Sequence, residues 1–179
     1  QNNFASLLTD TTATGERPSI KAGNNSIAVD ISLKDAGVYV TNYNGGDIGN
    51  GMLSVKLNAN SQLLIINITP TNAQNYSLDE FYINGKSSAD WAKDEDSADD
   101  VMCQSVVFNF GSYTGTITLA GAMAGIVIAP SATVTNHTGS AGILACKNYN
   151  TSGEWHYHNH NLPGPTSTTF TVKKNWSGV

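Results

Sequence analysis

Charged side chains are scarce in this chain of 179 residues, where 9 Lys and Arg and 14 Asp and Glu make up 13% of the total. The formal net charge is −5, and the basic residues are scattered rather than gathered in a stripe. Because nucleic acids are bound through clustered Lys and Arg, we expect no nucleic-acid partner. A continuous apolar run of about 18 residues is also lacking, so we expect no insertion of this chain into a membrane.

Cysteine is nearly absent, and its two occurrences leave the redox state open. Cys103 and Cys146 both lie beside strand-like apolar runs. A disulfide between them would stabilise the fold by roughly 4 kcal/mol in the chain-entropy model. The alternative is two buried free thiols, and the spacing alone does not decide between them.

The abundant feature is a series of short, β-branched runs separated by Gly, Asn, Ser and Asp, which predicts a mostly all-β domain. These runs are "SIAVDIS" (26–32), "GVYVTNY" (37–43), "MLSVKLN" (52–58), "QLLIINIT" (62–69), "SVVFNF" (105–110), "GTITLA" (115–120), "GIVIAP" (125–130), "ATVTNH" (132–137) and "AGILAC" (141–146). The polar segment 84–100 interrupts them and predicts a solvated acidic loop, or a helix that begins with Ser87 or Ser88 as its cap.

The later runs recur in two interleaved series with a period near 18. Val107, Ile126 and Ile143 are separated by 19 and 17 residues, and Ile117 and Val134 by 17. Such spacing is typical of a β-solenoid, in which each coil stacks on the previous one. Small residues between 120 and 145 favour the solenoid, and a β-sandwich is the alternative.

The segment "GEWHYHNHNLPG" (153–164) places Glu154, His156, His158 and His160 at every second position. On an extended strand these side chains share one face, which could hold a divalent metal, the only cofactor that the sequence brings into consideration. Neighbouring same-face residues are about 7 Å apart, so one strand rarely supplies all the ligands of one ion. A structural role and a ligand-binding surface are the alternatives. Trp155 and Tyr157 would occupy the opposite face, either as a platform for sugars or as core.

Several segments together resemble the choice-of-anchor A family of ice-binding-like adhesive domains in Gram-positive surface proteins. They are "QLLIINIT", "SVVFNF", "GIVIAPSATVTNHTGSAGIL" and "GEWH", and the last is similar to a family motif that maps onto Gly153, Glu154 and His156. The resemblance implies a right-handed β-solenoid with one helix packed along it, displayed outside the cell, and adhesion rather than catalysis. "FTVKKNW" (170–176) resembles the first strand of a Cna-B-type repeat. We therefore expect an adhesive domain over residues 1–162, with 163–179 as a linker and the first strand of a following stalk domain.

The sequence thus predicts a cell-wall-anchored or pilus-associated adhesin domain that binds a glycan or an extracellular-matrix protein. The alternatives are a structural stalk module and a metal-dependent enzyme built on the histidine row, although no nucleophile or phosphate-loop motif is present. The Thr-rich runs "TGTIT" and "TSTTFT" look too irregular for a ladder of stacked threonines. The candidate contact residues are aromatic, with one histidine: Tyr39, Tyr43, Trp91, Tyr113, Trp155, Tyr157 and His158.

Overall fold

The computed structural model describes residues 20–23, 26–30, 37–57, 62–93 and 102–157. Strands make up most of the described chain and one short helix accompanies them, which confirms the all-β prediction. The strands are β1 (Ile20–Gly23), β2 (Ser26–Asp30), β3 (Gly37–Gly45), β4 (Leu53–Lys56), β5 (Gln62–Pro70), β6 (Asn75–Leu78), β7 (Tyr82–Ile83), β8 (Lys86–Ser87), β9 (Val106–Asn109), β10 (Thr116–Leu119), β11 (Ala124–Asn136), β12 (Ser140–Thr151) and β13 (Trp155–Tyr157). The helix α1 spans Ser88–Lys93. Within the described ranges no helix has the length and apolar character needed to cross a membrane.

Parallel pairing dominates the described sheets. Nine of the eleven strand pairings are parallel, and only β1 with β2 and β7 with β8 are antiparallel. A β-sandwich is built from antiparallel strands. The sandwich alternative therefore does not fit this structure.

The strands form three walls. The first wall is the five-stranded sheet β1-β2-β4-β7-β8. The second wall contains β3, β5, β9, β13 and the first parts of β11 and β12, while the third contains β6, β10 and the last parts of β11 and β12. A register shift between Ala129 and Thr133 marks where the two long strands pass from the second wall to the third. The parallel sheet is therefore curled.

The predicted sequence periods correspond to the observed strand register. Val107 is the Cα partner of Ile126, and Ile126 is the partner of Ile143. Ile117 is the partner of Val134 on the third wall. The two interleaved series are thus confirmed as columns of residues in neighbouring parallel strands.

The core lies between the three walls and contains apolar side chains from each of them. Phe81 and Phe108 meet edge to face with ring centroids 5.0 Å apart. Both faces of β5 are buried, since Leu63, Leu64, Ile65 and Ile66 are at most 8% exposed. This burial on both faces explains why the segment "QLLIINIT" is continuously apolar instead of alternating between apolar and polar residues.

Helix α1 begins at the position that one of the two sequence-based alternatives predicted, with Ser87 as its cap. The Ser87 hydroxyl accepts a hydrogen bond of 3.1 Å from the backbone N–H of Asp90, which caps the first turn. Ser88 is fully buried, and its hydroxyl accepts from the N–H of Phe81 and donates to the carbonyl of Ala122. These contacts fix the start of the helix against the sheets. The acidic residues 94–100 lie outside the described ranges.

Candidate ligand-binding surface

The third wall presents a regular set of short polar side chains on its outer face, which we call the polar array. Its eight members are Asn75, Ser77, Thr116, Thr118, Thr133, Thr135, Asn148 and Asn150. They come from four adjacent parallel strands and form two columns in register. The alternating residues Tyr76, Ile117 and Val134 are buried in the core, so strand alternation fixes the outward direction of the array.

Hydroxyl and amide groups make up the chemistry of the polar array, and none of its members carries a charge. Adjacent strands lie about 4.8 Å apart, so neighbouring members of a column can share a hydrogen-bonded ligand. Asn148 donates from Nδ2 to the Thr133 hydroxyl at 3.2 Å, which shows that neighbouring members of one column are close enough for side-chain contact. Both donors and acceptors are therefore presented on one parallel-stranded surface.

Sequence reasoning missed this surface. The run containing Thr116 and Thr118 was expected to be too irregular for a threonine ladder, yet Thr133 and Thr135 are their Cα partners in the next strand. The sequence did contain a signal for this surface, namely the spacing of 17 residues between Ile117 and Val134. The same spacing separates the threonines that flank these two residues, so it also aligns Thr116 with Thr133 and Thr118 with Thr135. The second Thr-rich run, at 166–171, lies outside the described residues.

Beside the array, three tyrosines and one carboxylate form a group that we call the tyrosine corner: Tyr43, Tyr76, Tyr113 and Asp47. Two of the predicted contact residues, Tyr43 and Tyr113, thus meet here, and both are half-buried. The Tyr113 hydroxyl donates to the carbonyl of Asn72 at 3.1 Å. Asp47 is exposed and its Oδ1 accepts from the backbone N–H of Ser77, the array member on β6, at 2.8 Å.

Electrostatic interactions link the members of the tyrosine corner. Burial and then the Asp47 carboxylate raise the pKa of Tyr43 above its usual value of 10.0, and the same two causes raise the pKa of Tyr113. The pKa of Tyr76 is raised well above 10.0, first by burial and then by Tyr43, Asp47 and Tyr113. All three phenols therefore stay protonated at neutral pH.

Other aromatic residues that were predicted to contact a ligand pack against the protein itself. Tyr39 is 3% exposed and faces the core from β3, so it cannot contact a ligand in this structure, contrary to the expectation. The Trp91 indole donates to the carbonyl of Ile83 at 3.2 Å, and the Lys86 ammonium lies 4.2 Å from its ring centroid. Trp91 thus serves the packing of α1.

Trp155 packs against the core, which was the alternative to its predicted role as a platform for sugars. Its side chain is half-buried, its Nε1 donates to the carbonyl of Gly142 at 3.1 Å, and its ring meets Tyr149 edge to face. The side chain of Tyr157 and the whole of His158 lie outside the described residues, so their predicted roles stay predictions.

The described part of the histidine row contains one exposed contact between a histidine and a carboxylate. His156 Nε2 lies 3.3 Å from Glu154 Oε2, with the two side chains 46% and 83% exposed. Across the described residues, no three His, Cys, Asp or Glu side chains are grouped so that they could hold a metal ion. His160, like His158, lies beyond residue 157, so the divalent-metal hypothesis remains a prediction. His137, the remaining histidine of the chain, pairs with the Ser152 hydroxyl through Nδ1 at 2.8 Å.

A ladder of asparagines runs along the second wall. The side-chain amide of Asn67 donates to Asn42 Oδ1, that of Asn109 donates to Asn67 Oδ1, and Asn109 Oδ1 accepts from the backbone N–H of Gly111. Because each amide meets its partner in the neighbouring strand, the ladder fixes the register of β3, β5 and β9. Its role is structural.

Cys103 and Cys146 are free thiols in the structure, so the disulfide alternative is not formed. Cys103 is fully buried beside Ala124 and Ala141, and its sulfur donates to the carbonyl of Trp91 at 3.5 Å. Cys146 is half-buried in β12 and packs against the main core cluster. The two side chains pack in different clusters, and burial raises the pKa of the Cys146 thiol.

Comparisons with known proteins bear on the family. A family model described as "Putative Ice-binding-like adhesive domain" matches residues 1–157, which is most of the chain. No curated protein and no solved structure matches the chain significantly. On the strength of the family match, this chain belongs to the family of ice-binding-like adhesive domains.

Proposed function

We propose that this domain attaches a cell surface non-covalently to a glycan or to an extracellular-matrix protein, and that the polar array is the contact surface. The adhesive family supports the general role. The array supports the mechanism, because the outer face of the third wall carries the same kind of side chain on four strands in register. That register is the single observation on which the proposal depends.

The physical properties of the array suit attachment. Threonine is stiff at χ1, and parallel strands hold its backbone on both sides, so little conformational entropy is lost when a ligand binds. Each hydrogen bond contributes little on its own, about 1 kcal/mol. Affinity would therefore come from several side chains of the two columns engaging one extended ligand at once.

The proposal includes the setting that the sequence resemblance implies. The three walls would be the sides of a right-handed β-solenoid, displayed on the outside of a Gram-positive bacterium and anchored to the cell wall. Residues 163–179 would lead into a Cna-B-like stalk that carries the adhesive domain away from the surface. The role is attachment rather than catalysis.

The first experiment is a screen of the purified domain against an array of glycans and extracellular-matrix proteins, with and without EDTA. We expect a specific interaction that EDTA leaves intact, because the polar array needs no metal. An interaction abolished by EDTA would place a metal in the site and redirect attention to His156, His158 and His160. No interaction with any member would favour a structural stalk module.

A further inference from the structure

The hydroxyl group of Tyr76 is the one buried side-chain polar atom of the described residues that lacks a hydrogen-bond partner. Tyr76 is 2% exposed, and its ring packs edge to face against Phe110 with centroids 5.3 Å apart. Buried hydroxyls in folded proteins are almost always paired. An unpaired one at the edge of a candidate binding surface calls for an explanation, and a bound ligand is one that can be tested.

The surroundings of that hydroxyl define what kind of ligand would fit. Tyr43 and Tyr113 are both half-buried, so aromatic surface remains accessible beside Tyr76. The ring of Tyr43 lies over Gly45 and that of Tyr113 over Gly115, where a Cβ atom would come within 2.4 Å of either side chain. The two glycines thus make room for the rings at this corner.

The carboxylate of Asp47 provides the charge. Its Oδ1 is held by the Ser77 N–H, and the side chain is exposed. After burial, which is the largest cause, the Asp47 carboxylate raises the pKa values of Tyr43, Tyr76 and Tyr113, so its negative charge acts at all three hydroxyl groups. Aromatic rings and a carboxylate together are a recognised environment for organic cations.

We propose that the tyrosine corner binds a primary ammonium group of the kind that a lysine side chain carries. The Tyr76 hydroxyl oxygen is covered in the structure, so binding requires the side chains around it to move apart. The N–H groups of the ligand would then donate to this oxygen and to Asp47, while the rings of Tyr43 and Tyr113 contact its methylene stem and charge. A quaternary ammonium fits less well, because it has no N–H to donate to the Tyr76 hydroxyl oxygen or to the Asp47 carboxylate. This site differs in place and in chemistry from the polar array and does not depend on the array's function.

The test is an NMR titration of the whole 179-residue chain, with labelled tyrosine rings, against Nα-acetyl-lysine methylamide. We expect shifts of the Tyr43, Tyr76 and Tyr113 signals, and no such shifts with the neutral Nε-acetylated analogue. Tetramethylammonium should bind more weakly than the primary amine. Equal binding of the neutral analogue, or an absence of shifts with the amine, would overturn the proposal; in the second case a buried water would be the partner of the Tyr76 hydroxyl.

Two variants locate the site. Tyr76→Phe keeps the ring but removes the hydroxyl, and Asp47→Asn removes the charge from an exposed side chain. Each should weaken binding of the amine by about tenfold or more. Tyr82→Phe, which removes a hydroxyl from the exposed tyrosine of the first wall, is the matched control and should bind normally. Normal amine binding by both Tyr76→Phe and Asp47→Asn would contradict the proposal.

Discussion

The Oδ1 atom of Asp47 accepts a hydrogen bond of 2.8 Å from the backbone N–H of Ser77, and this bond joins two different surfaces. Ser77 belongs to the uncharged polar array on the third wall. Asp47 belongs to the tyrosine corner, where the unpaired Tyr76 hydroxyl lies. One face of the domain thus has a neutral part and a negatively charged edge, which differ in their expected response to salt.

Amine binding at the tyrosine corner should weaken as salt is added, whereas ligand binding through the polar array should change little.

Because the polar array faces outward, substitutions at two neighbouring residues should differ in their effect on stability, small at one and large at the other. Thr135→Val should change the free energy of unfolding by less than about 0.5 kcal/mol, because the side chain faces out and valine suits a strand. Val134→Thr should cost about 1–3 kcal/mol, because it places a hydroxyl in a fully buried position. Urea denaturation of both variants gives the comparison. Similar losses in the two would mean that the third wall does not have the assigned faces.

Removal of the unpaired hydroxyl should stabilise the domain. Tyr76→Phe leaves the ring contact with Phe110 in place and eliminates a buried polar group without a partner. We expect a gain of up to about 1 kcal/mol and a higher melting temperature. A clear loss of stability at neutral pH would show that the hydroxyl has a partner in solution.

The same residue predicts the behaviour of the domain in alkali. The folded pKa of Tyr76 lies above the ordinary value of 10.0, so the folded state holds this proton more tightly than the unfolded chain does. The stability that results is complete below pH 10 and is lost as the pH rises above it, because the unfolded chain ionises first. Thermal melts between about pH 8 and 11 should show this loss, and Tyr76→Phe should reduce it. A wild-type curve that is flat over this range would contradict the assignment.

Close contact between strands makes Gly142 irreplaceable. Its φ is +126°, and a Cβ atom at this position would lie 1.8 Å from the carbonyl oxygen of Gly125. Gly142→Ala should therefore destabilise the domain by more than about 2 kcal/mol or prevent folding. Gly139→Ala is the control, since a Cβ there meets nothing within 4 Å. Comparable effects of the two substitutions on soluble yield and melting temperature would refute the contact.

The cysteines should react as free thiols. We expect alkylation of the unreduced, denatured protein to modify both Cys103 and Cys146, as measured by intact mass. In the folded protein both should react slowly, because Cys103 is fully buried and burial raises the pKa of the Cys146 thiol. A mass that shows two unmodified cysteines until a reductant is added would establish the disulfide instead.

The sequence predicted the register of the later strands because apolar residues such as Ile126 and Ile143 repeat at the spacing of successive strands. It did not predict β6, β7 and β8, since each has only two to four residues and polar neighbours, so the segment looks like a loop. It also divided β11 at Pro130, whereas the chain continues through a register shift that accommodates the proline. The tyrosine corner could not be predicted, because Tyr43, Tyr76 and Tyr113 are far apart in sequence and meet only through the curl of the sheet.

The central claim is that the polar array makes the adhesive contact, and a comparison of substituted domains tests it most directly. The double variant Thr118→Lys/Thr135→Lys places two long charged side chains in one column, and Ser54→Lys places one on the exposed face of the first wall as a control. Both should fold, because every substituted position faces outward. On the glycan and matrix-protein array, we predict that the wild type and Ser54→Lys bind the same members while the double variant loses about tenfold or more in affinity. Undiminished binding by a correctly folded double variant would contradict the account.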